Sequence, residues 1–526
     1  MIRMRKLTPL LLLASAPLLH PTPAKADWNS DLAAIDAQIR AVSGPAYQQG
    51  NAVNVQAGVT TASLEPKRVI LENAGFNWFA PAGATGTYNY GNFYSFTGAP
   101  GQTDTQLRIV ETTSATLLYR RGYPNEPTQR LGAWWGAAYL SPAATRDDLA
   151  VLAAWGNPLT GIYVISVPAG TRMITGLTSP MQAGAESRPG GATQYWLNSR
   201  DNNWLVHALY APDYLGSYVQ AVAGAQKLDR DATDSLAAQL RDIATANESG
   251  NSGAPKRLDS WFRATAGHSE YQPGLGGEVD ARGVSYMLGT GMTVAGSAST
   301  ARLHAGAMIG RSTLRQTAEA SGVAGHLAAN YGGLYAVYSR PATERFPWYA
   351  SGAFLHGRVW FFNTVPGYLG RGLEQRYQGH MSSLSLECGV PLALGSGWTA
   401  TPQVQIAATR VAQTDFVDEL GAAVSLKQGD ALYSRLGAQI DKTLIRRAGL
   451  RLSLWARASA VHNFCGNSEV EIAGEAVTGG RIEEIYQFDT GLRLDWAGRY
   501  SLRSSVGHSE GDERGNRTSA SLNVAW

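Results

Sequence analysis

Residues 518–526 alternate in polarity. Thr518, Ala520, Leu522, Val524 and Trp526 fall on one face, and Ser519, Ser521, Asn523 and Ala525 on the other. Side chains of a strand alternate with period two, so this segment has one apolar side and one small, polar side. That is what a strand needs between hydrocarbon and a wet lumen. A closing aromatic suits the boundary between lipid and water. The same pattern recurs in twelve segments from about residue 257 onward, among them 260–268, 283–294, 302–311, 432–444, 486–496 and 500–506. The expectation is a transmembrane β-barrel of about 12 antiparallel strands over 257–526.

The connections alternate in length. Leu394-Gly395-Ser396-Gly397 and Ala497-Gly498-Arg499 read as short periplasmic turns, and 466–481 and 507–517 as longer surface loops. Within Leu492-Arg493-Leu494-Asp495-Trp496 the apolar residues share one face and the charges the other. A soluble sandwich would not bury Arg493 and Asp495 opposite an exposed Leu-Trp stripe. Cys388 alternates with Leu384 and Leu386 and is expected to face lipid, while Cys465 lies near a loop, so no disulfide is expected.

Upstream, Arg3, Arg5 and Lys6 precede a largely apolar run, 7–19, and the small-x-small pattern Ala24-Lys25-Ala26. This reads as a secretory signal over 1–26, with cleavage after Ala26. Pro9 and Pro17 break the run, which is too short to span a bilayer as a helix, and no later stretch is long and apolar enough. No Cys follows the signal, which argues against a lipoprotein. A net charge of +3 on 526 residues gives no footprint for nucleic acid. The exported residues ahead of the barrel contain no Cys, by chance or because a disulfide would jam a chain crossing a pore unfolded.

The opening Leu258-Asp259-Ser260-Trp261-Phe262-Arg263, the strand series and the terminal aromatic together resemble the translocator domain of autotransporters (type V secretion). The resemblance implies a monomeric barrel in the cell outer membrane, inserted among its lipids by the barrel-assembly machinery. It also implies a lumenal helix joining the barrel to an exported passenger at the cell surface or beyond. The candidate helix is 234–244, Ala-rich and slender, with Asp234 as its cap, followed by an Asn/Ser/Gly-rich flexible stretch, 245–255. The expected domains are thus signal 1–26, an uncharacterised part 27–106, a cargo core 107–227, the linker helix region 228–256 and the barrel 257–526.

The cargo shows no internal repeat, so a long β-helix is not expected. His207 is its only histidine after the signal, which leaves a His-based metal site or a Ser-His-Asp triad without material. His207 sits in an apolar stretch that reads as helical, where it packs. What remains is an ordered series: the strand 116–122 ending in Arg120-Arg121, the aromatic segment 132–142, a helix over 145–155, the strand 162–167 with its turn 168–171, and the strand 190–197.

This order resembles the α+β, split-sheet core of the ADP-ribosyltransferase-like fold, in particular exported NAD glycohydrolase toxins such as the tuberculosis necrotizing toxin. The resemblance implies NAD as a substrate, with no prosthetic group. Arg120 would grip the pyrophosphate, Trp135, Tyr139 and Ser141 would line the nicotinamide pocket, and Gln194 would hold the ribose hydroxyls. Arg120 is preferred to Arg121 because neighbouring strand residues face opposite sides and it follows Tyr119 as in the family pattern. Gln194-Tyr195-Trp196 lacks the Glu of arginine-modifying transferases, and Glu186 is the one nearby acid that would substitute if its loop folds back. The alternative is a passenger without catalysis: a surface-displayed adhesin or serum-resistance factor.

Overall fold

The computed structural model describes residues 27–43, 66, 69–76, 81–82, 87–88, 108–124, 134–178, 181–183, 185–197, 201–246, 258–275, 277–296, 301–340, 346–447 and 449–526. The signal, most of 44–107 and the 247–257 stretch lie outside these.

The C-terminal half is a closed antiparallel barrel. Its first strand, Leu258–Tyr271, pairs with the last, Glu513–Ala525, in a register that sets Phe262 opposite Leu522. The wall sheet has thirteen segments. Leu373–Gly389 and Leu392–Gly395 both pair with Trp398–Gln413, on either side of Pro391 (which has no N–H to give), so they form one stave and the barrel has twelve. All twelve expected segments are staves, and each is longer than its apolar core suggested.

Burial follows the expected alternation. On the last strand Thr518, Ala520 and Leu522 are exposed and Ser521 is buried, and Leu492 is exposed while Arg493 is buried. Cys388 points outward, and both cysteines are free.

The polar stretch 507–517 is not a loop. It continues the strands Tyr500–Gly511 and Glu513–Ala525 to a tight turn at Asp512, with His508 opposite Asn516. Polar alternation persists there because the hairpin rises past the apolar band into water. The stretch 466–481 contains a hairpin, Glu469–Ile472 with Glu475–Thr478. It joins Phe416–Val417 and Ala423–Gln428 in a small sheet at the same end of the barrel.

A helix, Ala211–Ala246, fills the lumen. It is far longer than the expected 234–244, so Asp234 lies in its middle and caps nothing. At 36 residues it runs ~54 Å, well beyond an apolar band of about 25 Å. Its early part reads as cargo in sequence because its aromatic and apolar residues, Tyr214, Leu215, Tyr218 and Val219, pack in an apolar core made with loops, cargo and the upper wall. Gly224 allows close approach to the wall, since a Cβ there would lie 2.4 Å from Gln316 Oε1.

The cargo strands form one antiparallel sheet in the order Leu205–Tyr210, Gly161–Val167, Thr116–Gly122, Trp134–Gly136, Thr193–Trp196, Arg172–Leu177, Arg108–Glu111. Thr116–Gly122 meets Trp134–Gly136 at the single pair Tyr119–Gly136, so the sheet is divided there. Short helices Pro142–Asp148 and Ala153–Trp155 replace the expected continuous helix, because the chain leaves helical geometry after Leu149, with Ala150 at φ 47°. His207 lies on a strand rather than a helix. Alternation over only six residues, Leu205–Tyr210, cannot be told from a helical stretch by pattern alone.

Candidate functional site: the plugged lumen and the docked cargo

The lumenal helix is held by charge. Arg241 makes two parallel bonds to Glu387 of the wall, 2.9 and 2.8 Å, and Tyr349 donates to the same carboxylate at 2.8 Å. Lys227 and Arg230 both reach Glu513, the former at 2.6 Å. Asp234 accepts from Arg435, and Asp242 is ion-paired with Arg503, with Arg263 at 3.8 Å. Asp229 accepts from Thr409 at 2.8 Å. These groups come from strands around the barrel, so the helix is gripped on several sides. All are buried, where a charge without a partner is costly. Sequence pattern gave the inward positions of Arg493 and the final strand, but not which wall charge meets which helix charge.

At the surface end the plug is covered. Asp418, on the loop between strands, accepts from Tyr214 at 2.5 Å, Tyr218 at 2.8 Å, and the backbone N–H groups of Leu420 and Ala422 at 2.9 and 3.0 Å. Burial raises the Asp418 carboxyl above its usual range, and these donors offset only part of the rise. Leu420, Val424, Val470 and Ile472 of the loop sheet share one apolar core with the helix and with Ile162, Val164 and Leu209 of the cargo.

The barrel also reaches into the cargo. Loop residues Leu369–Gly370 add a strand to the edge of the cargo sheet, pairing with Ala208 and His207. Tyr368 N donates to Ala208 O at 3.0 Å, Arg371 N to Val206 O at 3.1 Å, and His207 Nδ1 lies 2.9 Å from Arg371 O. His207 is therefore buried at this junction as a packing and hydrogen-bonding residue.

The five residues assigned to an NAD cleft do not form one group. Cross-strand partners share a face. Tyr119, Gly136 and Gln194 are in one row, and Arg121 is on their side by alternation. Arg120 is opposite Tyr163 and Trp135 opposite Tyr195, on the other face, where Trp135 is buried in a core with Tyr163 and Tyr195. Arg121 shares the face of Gln194, but its guanidinium is occupied by Leu140 O at 2.8 Å, Leu159 O at 3.1 Å and the Tyr139 hydroxyl. Burial pushes the Tyr139 phenol well above its usual range, so it stays neutral against Arg121. Ser141 caps the helix Pro142–Asp148 through Ala144 N at 3.1 Å. Gln194 Oε1 accepts from Thr178 at 3.4 Å. Glu186 does not fold back toward Gln194; it accepts from Ala153 N at 2.9 Å and Ala154 N at 3.2 Å.

The sequence model of the Autotransporter beta-domain family matches residues 260–507. The C-terminal half carries an autotransporter beta-domain. The protein is accordingly an outer-membrane protein, with the residues ahead of this beta-domain exported to the surface. Among curated proteins, the Adhesin BmaC autotransporter of Brucella suis biovar 1 is 28% identical over 194 residues, 34% of this chain and 6% of its own length. The Pertactin autotransporter of Bordetella parapertussis is 25% identical over 261 residues, 49% of this chain and 27% of its own. The chain thus spans less than a third of the length of these relatives.

Solved structures similar to the beta-domain include the translocator domain of NalP from Neisseria meningitidis, with TM-score 0.46, 14% identity and coverage of 59% of this chain and 99% of that one. Another is the beta domain of the Bordetella autotransporter BrkA, with TM-score 0.42, 17% identity and coverage of 51% and 98%.

Proposed function

We propose that the chain exports its own N-terminal cargo through the beta-domain and keeps it displayed, tethered, as a non-enzymatic surface factor of the adhesin kind. One observation carries the tethering. The last cargo strand, Leu205–Tyr210, runs without a break into the lumenal helix at Ala211, and the barrel loop strand Leu369–Gly370 pairs with that same cargo strand. Export leaves the cargo joined covalently below and hydrogen-bonded at its edge. The names of the curated relatives, an adhesin and a pertactin autotransporter, fit display. Fractionation of expressing cells tests this. The cargo should stay with the cells on one polypeptide with the barrel and be reached by external protease; free cargo in the medium overturns the tether.

A second reading, cargo that cleaves NAD, draws on the divided sheet and on the placement of Arg121, Tyr119 and Gln194 on one face beside the division. Against it stand the occupied guanidinium of Arg121 and the opposite facing of Arg120. Cells displaying the full chain, incubated with etheno-NAD, decide between the two: a fluorescence rise lost in Gln194→Ala supports the enzyme, and no rise leaves display.

A further inference from the structure

We infer that one sector of the barrel's outer wall is a binding site for the phosphorylated headgroup of an outer-leaflet glycolipid. The wall facing lipid is apolar over most of its height, with Leu288, Met292, Ile309, Leu334, Leu384 and Ile406 exposed. Toward the end where the cargo docks, five consecutive staves carry outward-facing arginines and histidines instead. Their register sets them in rows. Arg282 is opposite Arg315, Arg315 opposite His326, His326 opposite Phe362, and Phe362 opposite Arg376. Two outward positions nearer the membrane centre, past the uncharged row of Val284, Thr313, Ala328, Trp360 and Gln378, a second row is formed by Tyr286, Arg311, Asn330, Arg358 and His380. The arginines and histidines of both rows are exposed.

Such rows carry a cost in the protein alone. Like charges directly across a sheet destabilise it, and Arg282 faces Arg315. A guanidinium at the edge of hydrocarbon adds a depth-dependent penalty. Acids are close only at the rim, with Asp280 3.6 Å from Arg282 and Glu374 3.6 Å from Arg376. Arg311, Arg315 and Arg358 have no carboxylate partner among the described residues. On the nearby staves Tyr500–Gly511 and Glu513–Ala525, outside these five, the outward charges at this height are matched internally, as in His508–Glu510 at 2.9 Å and Arg514–Glu510 at 3.2 Å. The unmatched positive charge is therefore local to one face.

A phosphate group removes both costs, because guanidinium forks bind it through paired, charge-assisted hydrogen bonds. The headgroup layer of the outer leaflet lies at this level, and long Arg stems can extend toward it. Below the second row an apolar cleft lined by Phe262, Tyr286, Leu288, Ile309 and Arg311 offers a bed for an acyl chain. The occupant is thus a lipid with phosphate above and hydrocarbon below.

The test uses the full-length protein purified in detergent, with lipid A bearing both phosphates, dephosphorylated lipid A and inorganic phosphate as probes, and native mass spectrometry as the readout. Phosphorylated lipid A should bind, and the triple variant R311Q/R315Q/R358Q should bind it about tenfold more weakly or worse. The control R514Q, on the last strand and outside the five staves, should bind as the wild type. Equal binding of the dephosphorylated lipid by the wild type overturns the proposal even if the triple variant fails to fold. So does full displacement by inorganic phosphate, which would mark a free-anion site, or unchanged binding by the folded triple variant. None of these outcomes depends on whether the cargo is tethered.

Discussion

Arg241 of the lumenal helix and Glu387 of the barrel wall form a buried fork-to-fork pair, with both nitrogen–oxygen distances under 3 Å. Both members are buried in the lumen, and the two parallel bonds fix the orientation of the helix against the wall.

Breaking that pair on one side should open the pore. Glu387→Ala leaves Arg241 buried without its counter-ion, which costs about 3–5 kcal/mol. Single-channel recording in planar bilayers should show frequent openings in the variant and a quiet wild type. The double replacement R241L/E387L should be much closer to wild type, because no charge is then stranded.

The cargo dock should loosen without loss of export. Arg371→Pro removes the N–H that reaches Val206 O at 3.1 Å, a loss of about 1 kcal/mol at the sheet edge. Faster protease cutting near 198–205 on intact cells, with unchanged surface amount, is the expected result. Arg371→Ala keeps the N–H and should cut at the wild-type rate, although it too loses the exposed contact with Glu419.

The packing of helix against wall is tight at Gly224. A larger side chain there meets Gln316, whose amide is fixed by Tyr271 Oη at 2.9 Å and Gln220 O at 3.0 Å. Gly224→Leu should destabilise the plugged barrel by about 1–3 kcal/mol. The check is a lower temperature for the heat-induced gel shift of the folded barrel.

One acid-sensitive point lies in the cargo. The Ala153 amide, then Arg188 and the Ala154 amide, hold the Glu186 carboxyl below its usual range. A depressed carboxyl stabilises the fold above its ordinary titration range, and that contribution is lost as pH falls through its folded value. The protection of the Ala153 and Ala154 amides, taken relative to their intrinsic exchange at each pH, should therefore fall at acid pH, and Glu186→Gln should show the lower protection already at neutral pH.

Alternation over some 270 residues was enough, by itself, to determine the barrel, the twelve staves and the facing of Arg493, Cys388 and Ser521, because a strand's period and two solvents of opposite polarity leave one arrangement. Local pattern did not reveal the start of the lumenal helix. Tyr214 and Tyr218 look like cargo core, and they are buried because Asp418, the loop sheet, Tyr139 of the cargo and Gln375 and Tyr377 of the wall close over them. Nor did it separate Arg120 from Arg121 in role. Their facing depends on the sheet register, and the burial of Arg121 depends on carbonyls contributed by Leu140 and Leu159 from distant turns. Contacts between residues far apart in the chain depend on docking geometry, which a periodic pattern does not encode. The pairing of Arg241 with Glu387 and the strand lent by Leu369–Gly370 were therefore decided by the tertiary structure alone.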